Sequence, residues 1–146
     1  MSKFIYKFEA VKKVKLTFEK LIQKEVAEIE LKIKAQNEEL VLLQNEKISE
    51  KNRIMAKKSM RASEVQFLNN FEKLMDEKIN ACTRKLELLN KQLKEKMDEL
   101  KKKSMEHKIF ETLEEKHLND FRLEQNRIEQ KQFDEIASIK KMKSRD

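Results

Sequence analysis

The sequence contains no glycine, no proline and no tryptophan in 146 residues. Glycine and proline supply most tight turns and most helix interruptions, so their absence leaves few ways to build a loop-rich or β-rich fold. The sequence therefore predicts an all-α protein made of long helices. With 42% charged residues, such helices bury a narrow apolar seam and not a broad interior.

Long apolar runs are also missing. The longest aliphatic run is LVLL, and the start, MSKFIYKFEAVKKVK, holds no apolar stretch of signal-peptide length. A membrane-spanning helix needs about 20 apolar residues, so none is expected. The one cysteine, Cys82, has no partner for an internal disulfide. We therefore expect a cytoplasmic protein.

Patterns typical of catalytic and metal sites are absent as well. The two histidines, His107 and His117, are ten residues apart, which places them on different faces of a helix and out of reach of one metal ion. The sequence has no glycine-rich phosphate loop and no nucleophile elbow. We predict no enzymatic activity, no cofactor and no metal, and we interpret Cys82 as a small buried apolar side chain.

Charge is distributed unevenly around a net value of +7. The first 24 residues hold seven Lys and two Glu, residues 25–50 hold seven Glu and three Lys, and KNRIMAKKSMR holds five basic residues and no acidic one. The basic residues predicted to bind an acidic partner surface are Arg53, Lys57, Lys58 and Arg61. Nucleic acid would suit the charge alone, but no aromatic residues are interleaved with it. A solvated basic tip, or a dock for an acidic protein surface, is therefore favoured.

Apolar residues recur at heptad spacing. In the second half they are Val65, Leu68, Met75, Ile79, Cys82, Leu86, Leu89, Leu93 and Leu100, interrupted by Glu72 and Lys96. This spacing predicts a coiled-coil seam. The first half is less regular, with expected shifts of the repeat at Val26, Asn37 and Ile48.

Ser63 followed by Gln66 resembles a capping box and predicts a turn just before the second helix. The predicted fold is an antiparallel two-helix coiled coil forming one domain over residues 1–146. We place helix 1 at about 5–58, the turn at 59–63 and helix 2 at about 64–140.

A turn centred near residue 61 fixes the register, because residues facing each other in an antiparallel hairpin then have numbers that add to 122. The expected pairs are Ile22 with Leu100, Ile29 with Leu93, Ile33 with Leu89, Leu40 with Cys82, Leu43 with Ile79 and Ile54 with Leu68. Glu50 would oppose Glu72, so these side chains must turn to solvent or reach cations. The cluster of Phe4, Tyr6 and Phe8 would pack against His117, Leu118 and Phe121, with partner binding as the alternative.

The same register leaves roughly the last 25 residues without a partner in the chain. Helical projection still places four apolar residues there on one face, with Arg127, Gln130, Lys131 and Asp134 away from it. The stripe consists of Phe121, Ile128, Ile136 and Ile139. A frayed tail, self-association and the binding of another protein are the three interpretations open at this point.

Two terminal motifs resemble the FliJ family of flagellar export proteins. The start FIYKFEAVKK is similar to that family's opening pattern through Phe4, Tyr6, Glu9 and Val11, although Phe8 stands where a Leu is usual. EVQFLNNFEKLMDEKI is similar to the beginning of its second helix. The ending NRIEQKQFDEIA resembles its C-terminal signature, carried by Arg127, Glu129, Gln130, Lys131, Asp134, Glu135 and Ala137.

The resemblance implies a long antiparallel coiled coil similar to the central stalk of rotary ATPases, in the cytoplasm and attached to the inner-membrane export apparatus through its partners. It implies binding to the hexameric export ATPase, to the cytoplasmic domain of the export gate and to export chaperones. Two alternatives remain: an export chaperone that does not engage the ATPase, and a generic dimeric coiled coil. The hairpin favours a monomer when free. The residues we assign to partner binding are Phe121, Arg127, Ile128, Lys131, Asp134, Ile136 and Ile139, with the four basic residues near the turn.

Overall fold

The structure, a computed structural model, describes residues 2–145 and consists of two helices in that range. Helix α1 spans Glu9–Met55 and helix α2 spans Ala62–Arg145. These helices confirm the all-α hairpin predicted from the absence of glycine and proline. Neither helix contains a segment both long and apolar enough to cross a membrane.

The chain forms two compact units, one built from residues 20–101 and the other from residues 2–19 with 102–145. We call them the connection unit and the terminal unit. Each contains a stretch of α1 and a stretch of α2. The expectation of a single domain over residues 1–146 stays a prediction.

The connection unit is an antiparallel hairpin with a seam at alternating spacings of three and four. Ion pairs cross it from Lys96 to Glu25 at 2.8 Å and from Lys47 to Asp76 at 2.6 Å. The residue numbers of these pairs add to 121 and 123, against the predicted 122. The seam residues, all buried or half-buried, are Ile22, Val26, Ile29, Ile33, Gln36, Leu40, Leu43, Lys47, Glu50 and Ile54 on α1, and Leu68, Glu72, Met75, Ile79, Cys82, Leu86, Leu89, Leu93, Lys96 and Leu100 on α2.

The expected shifts of the repeat at Asn37 and Ile48 are wrong. Gln36 and Lys47 hold the seam positions next to them, whereas Asn37 and Ile48 are exposed. Long polar side chains can lay their methylene groups along a seam and keep their polar ends in water, so the 3-4 spacing continues without an apolar residue in every layer.

Glu50 and Glu72 each reach a cation, as expected. Glu50 forms an ion pair with Arg53, and Glu72 lies 3.6 Å from Lys51. The hydrogen bond from Arg53 lowers the pKa of Glu50. Each carboxylate therefore has a cation on its own or the facing helix, which offsets the repulsion between the two.

The connection between the helices covers residues 56–61 and begins earlier than the predicted 59–63. Helix α1 ends at Met55 and not near residue 58, because its last turn tightens: the Lys57 N–H donates to the Ile54 carbonyl, three residues back, at 3.3 Å. Helix α2 begins at Ala62, and the Arg61 carbonyl accepts from the Glu64 N–H at 3.0 Å. The capping-box interpretation is wrong, since Ser63 already lies inside the first turn.

In the terminal unit the predicted helix start near residue 5 is also wrong. Residues 2–6 are not helical, and α1 begins at Glu9. Phe4, Tyr6 and Phe8 are buried or half-buried, while Ile5 and Lys7 between them are exposed. An extended chain places every second residue on one side, so this conformation lets all three rings face α2, which a helix would prevent.

Candidate interaction surfaces

The aromatic residues at the start of the chain form a packed cluster in the terminal unit. The rings of Phe4 and Phe121 have centroids 5.5 Å apart, and Tyr6 and His117 meet edge-on at 5.8 Å. The Tyr6 hydroxyl donates a hydrogen bond of 2.7 Å to the Phe110 carbonyl. The predicted packing against His117 and Phe121 is confirmed, whereas the contact with Phe110 was not predicted.

Desolvation raises the pKa of the Tyr6 phenol, and the nearby Glu114 carboxylate raises it further. The phenol therefore stays neutral and keeps donating to the carbonyl well into the alkaline range. This hydrogen bond fixes the extended segment against α2, which leaves Phe121 partly covered by the chain's own N-terminal ring.

His107 occupies a polar seam layer that sequence reasoning missed. Its Nδ1 lies 2.9 Å from Glu19 Oε2, and its Nε2 lies 3.3 Å from Glu111 Oε1. A protonated imidazole can donate from both nitrogens to the two carboxylates. The signal available in the sequence was the seam spacing itself, because His107 lies seven residues after Leu100. Among residues 2–145, no three His, Cys, Asp or Glu side chains come together as a metal site requires.

Cys82 lies in the seam of the connection unit, as predicted. The residue is buried, and its Sγ is 3.3 Å from both the backbone oxygen and Oε1 of Gln36. The thiol can donate only weakly to one of them at a time. Its role is packing next to a polar neighbour on the facing helix.

Two further ion pairs join the helices in the terminal unit. Lys12 Nζ is 2.5 Å from Glu114, and Lys15 Nζ is 3.1 Å from Glu106, which also lies 3.7 Å from Lys103. The hydrogen bond to Glu114 raises the pKa of Lys12. The hydrogen bond from Lys15, followed by the charge of Lys103, lowers the pKa of Glu106.

The lowered pKa of Glu106 predicts an acid-sensitive contribution to stability. A carboxylate with a lower pKa in the folded state stabilises the fold above its unfolded pKa of about 4.3, and this contribution is lost as pH falls through the folded value. We expect Glu106→Gln to lower the denaturation midpoint at about pH 7 and to lose this difference from wild type near pH 3. Urea titrations followed by circular dichroism at several pH values measure it.

Glu115→Gln is the matched control, since Glu115 lies on the same helix and is exposed. Its midpoint should follow wild type throughout. A difference between Glu106→Gln and wild type that stays constant from neutral to acid pH would show that the ion pair contributes nothing.

The basic surface predicted near the turn lies at the connection. Arg53 pairs with Glu50, and Lys57 lies 3.3 Å from Glu64. Lys58 and Arg61 are exposed and, within residues 2–145, form no ion pair. The structure thus brings all four cations to one end of the connection unit, two of them free to meet an anionic partner.

The C-terminal part of α2 is exposed over all of residues 126–145. It contains the polar residues of the terminal signature, and four residues predicted as a binding site surround a shallow depression of about 630 Å³. Arg127 is held by Glu124 at 3.0 Å, and Gln130 donates to Asp134 at 3.3 Å. The depression is lined by Glu124, Arg127, Ile128, Gln130, Lys131 and Asp134.

Ile136 and Ile139 lie further along the same helix and are about half exposed. At about 100° per residue, Ile128 and Ile139 lie within about 20° of the direction that Phe121 takes towards Phe4. The apolar face that packs inside the terminal unit therefore continues past Phe121 without a covering helix. We call Ile128, Ile136 and Ile139 the exposed stripe.

A protein-family model described as Flagellar FliJ protein matches residues 4–146 of the sequence. No curated protein and no solved structure shows a significant match to the chain. The match covers nearly all of the chain, including both terminal motifs and the segment that follows the connection. The chain therefore belongs to the FliJ family, whose members are non-enzymatic components of the flagellar export apparatus.

Proposed function

We propose that this protein is the stalk of the flagellar export ATPase and has no catalytic activity of its own. Membership of the FliJ family carries the proposal, and the antiparallel helix pair found in each unit suits it. A narrow helix pair can occupy the centre of a ring where a globular domain cannot. Its site of action is the cytoplasm, with attachment to the membrane export apparatus through partners only.

The exposed stripe supports binding of another export protein at the C-terminal end of α2. Exposed apolar residues aligned on one helix face typically mark a docking site, and an amphipathic helix offers its anchors at such spacings. We propose that Ile128, Ile136 and Ile139 supply the apolar contact, with Arg127, Lys131 and Asp134 beside them as polar contacts. Phe121, which packs against Phe4, lies at the start of this surface.

The connection offers a second contact of a different kind. Lys58 and Arg61 have no ion-pair partner among residues 2–145 and can bind anions, and Arg53 and Lys57 add positive potential around them. Charged contacts of this type guide association and fix orientation more than they add affinity. We propose that this surface docks on acidic protein, with the gate's cytoplasmic domain and export chaperones as further partners of a chain that is monomeric when free.

Titration of the purified export ATPase with the full-length chain tests the stalk role. Because a stalk promotes assembly of the ring, we expect ATP hydrolysis to rise severalfold and to saturate near one stalk per hexamer. Hydrolysis measured by phosphate release, with ring formation followed by light scattering, gives both quantities.

A second titration uses a variant in which the charge of the connection is reversed and the exposed stripe is intact. It carries Arg53→Glu, Lys57→Glu, Lys58→Glu and Arg61→Glu. If ATP hydrolysis is unchanged across the whole titration with the wild-type chain, the stalk role is excluded. If ATP hydrolysis is unchanged but export chaperones still bind the chain, the protein is an export chaperone that does not engage the ATPase.

A further inference from the structure

The terminal unit carries a second apolar band, outside its seam. On α1 the residues are Val11, Val14 and Phe18, all exposed. Their spacing of three and four places them in one stripe, one residue before the half-buried seam positions Lys12, Lys15 and Glu19. In a helix that contacts only one neighbour, positions beside the seam are usually charged, so an apolar stripe there needs another explanation.

On α2 the band continues as a shallow depression of about 430 Å³ in the terminal unit. Met105 and Ile109 are exposed and Leu113 is half-buried. The side chains that line the depression are Met105, Lys108, Ile109, Thr112, Leu113 and Lys116. None of them belongs to the aromatic cluster or to the exposed stripe.

The heptad assignment places both parts on the same side of the helix pair. With Lys12 and Glu19 at a positions on α1, Val11 and Phe18 take g positions and Val14 takes c. With His107 at an a position on α2, Leu113 takes g, Ile109 takes c and Met105 takes the neighbouring f position. In an antiparallel pair the g positions of the two helices flank the same side. We call this surface, formed by Val11, Val14, Phe18, Met105, Ile109 and Leu113, the lateral band.

Contacts across the pair agree with this placement. Lys103 Nζ lies 5.7 Å from the centroid of the Phe18 ring, and Lys15 Nζ lies 3.1 Å from Glu106, another g residue. Each of these lysines starts in the seam and reaches the g side of the facing helix. The lateral band therefore consists of an apolar stripe on α1 and an apolar depression on α2, both on the g side of the seam. Apolar helix faces that flank one seam are surfaces on which a third helix can pack.

Charge around the lateral band determines what kind of helix fits. Lys108 and Lys116 line it, and Lys102 takes the c position one heptad before Ile109. Within the described chain none of these three lysines forms an ion pair. Glu106, an acidic g residue beside the lateral band, forms ion pairs with Lys15 and Lys103. The rim is therefore positive.

We propose that the lateral band binds an amphipathic helix of another protein, one whose apolar stripe is flanked by acidic residues. A second copy of this chain fits poorly, because two lateral bands face to face would bring their lysines together. The lateral band shares no residue with the exposed stripe or the connection, so this site stands whether or not the stalk role is correct.

A pair of peptides tests the proposal on the full-length chain. Both have 21 residues with Leu at a and d; one carries Glu at e and g, and the other carries Lys at the same positions. At about 0.15 M salt we expect the Glu peptide to bind with a Kd on the order of tens of micromolar and the Lys peptide at least about tenfold more weakly. Fluorescence anisotropy of labelled peptide measures both.

Ile109→Glu should weaken binding of the Glu peptide about tenfold or more, through lost apolar contact and added repulsion. Leu88→Glu is the matched control on the same helix, since Leu88 is 57% exposed and Ile109 62%; its affinity should stay within about twofold of wild type. Circular dichroism verifies that both variants keep wild-type helicity.

Three results would overturn the proposal: no binding of the Glu peptide at about 300 µM, equal binding of the Lys peptide, or unchanged binding by Ile109→Glu. Sedimentation adds a fourth. A wild-type dimer that Ile109→Glu dissociates would assign the lateral band to a second copy of this chain and not to an acidic helix.

Discussion

Met75→Ala is expected to lower the free energy of unfolding by about 2–4 kcal/mol. Met75 is 2% exposed in the seam of the connection unit. Its side chain fills the space between α1 and α2, and truncation removes that contact and leaves a cavity that two long helices cannot easily close. Urea denaturation followed by circular dichroism, with wild type and variant in parallel, measures the loss.

Leu74→Ala is the control, because Leu74 precedes Met75 on the same turn but is 48% exposed. Its free energy of unfolding should stay within about 0.5 kcal/mol of wild type. Equal losses for the two variants would show that the seam does not run through Met75. The helix pair would then have a different register from the one that the ion pairs of the connection unit indicate.

Register was the part of the fold most accessible to sequence reasoning. An antiparallel pair needs only one fixed point, and the turn placed just before the second helix from Ser63 and Gln66 supplied it to within a few residues. Heptad spacing then placed Leu68, Met75, Cys82 and the following residues in the seam. The observed Lys96–Glu25 and Lys47–Asp76 pairs agree with it.

Helix ends were less accessible, because local propensity does not decide them. Ser63 and Gln66 have the residue types of a capping box. The helix nevertheless begins before Ser63, and the Arg61 carbonyl accepts the first helical hydrogen bonds. Residues 2–6 have ordinary helix-forming neighbours. They remain extended because three aromatic rings gain more from packing on α2 than the backbone gains from another helical turn.

The polar seam layers show a third limit. Gln36, Lys47 and His107 take positions that an apolar repeat assigns to Leu or Ile, and their partners lie on the facing helix or one turn away. Sequence reasoning treats such residues as interruptions. Only the facing side chains, such as Glu19 opposite His107, show that they are layers in their own right.

Phe121, predicted as part of the apolar stripe, packs against Phe4 instead. The other three residues, Ile128, Ile136 and Ile139, form the exposed stripe, which lies beyond the register's last pair. Its exposure also makes it the surface that mutation can test most cleanly. Ile128 and Ile136 are exposed, so we expect a charged substitution there to act on binding and not on folding.

The double variant Ile128→Asp with Ile136→Asp should weaken the complex with the export ATPase or another export partner by about tenfold to a hundredfold. Two carboxylates would have to lose their water in an apolar contact, which they cannot do without a cation opposite. Helicity and the denaturation midpoint should match wild type, because both side chains are exposed in the free chain. Affinity is measured by isothermal titration calorimetry, and helicity by circular dichroism.

Leu123→Asp is the control that shows whether binding depends on the exposed stripe or on any exposed apolar side chain of this helix. Leu123 is 67% exposed, more than either isoleucine, but it lies about 140° around the helix axis from Ile128. Its affinity for the same partner should stay within about twofold of wild type. If Leu123→Asp weakens the complex as strongly as the double variant, the binding surface wraps the helix and is not the stripe. If neither variant weakens it, the partner contacts lie elsewhere, and the free cations Lys58 and Arg61 at the connection become the next positions to reverse.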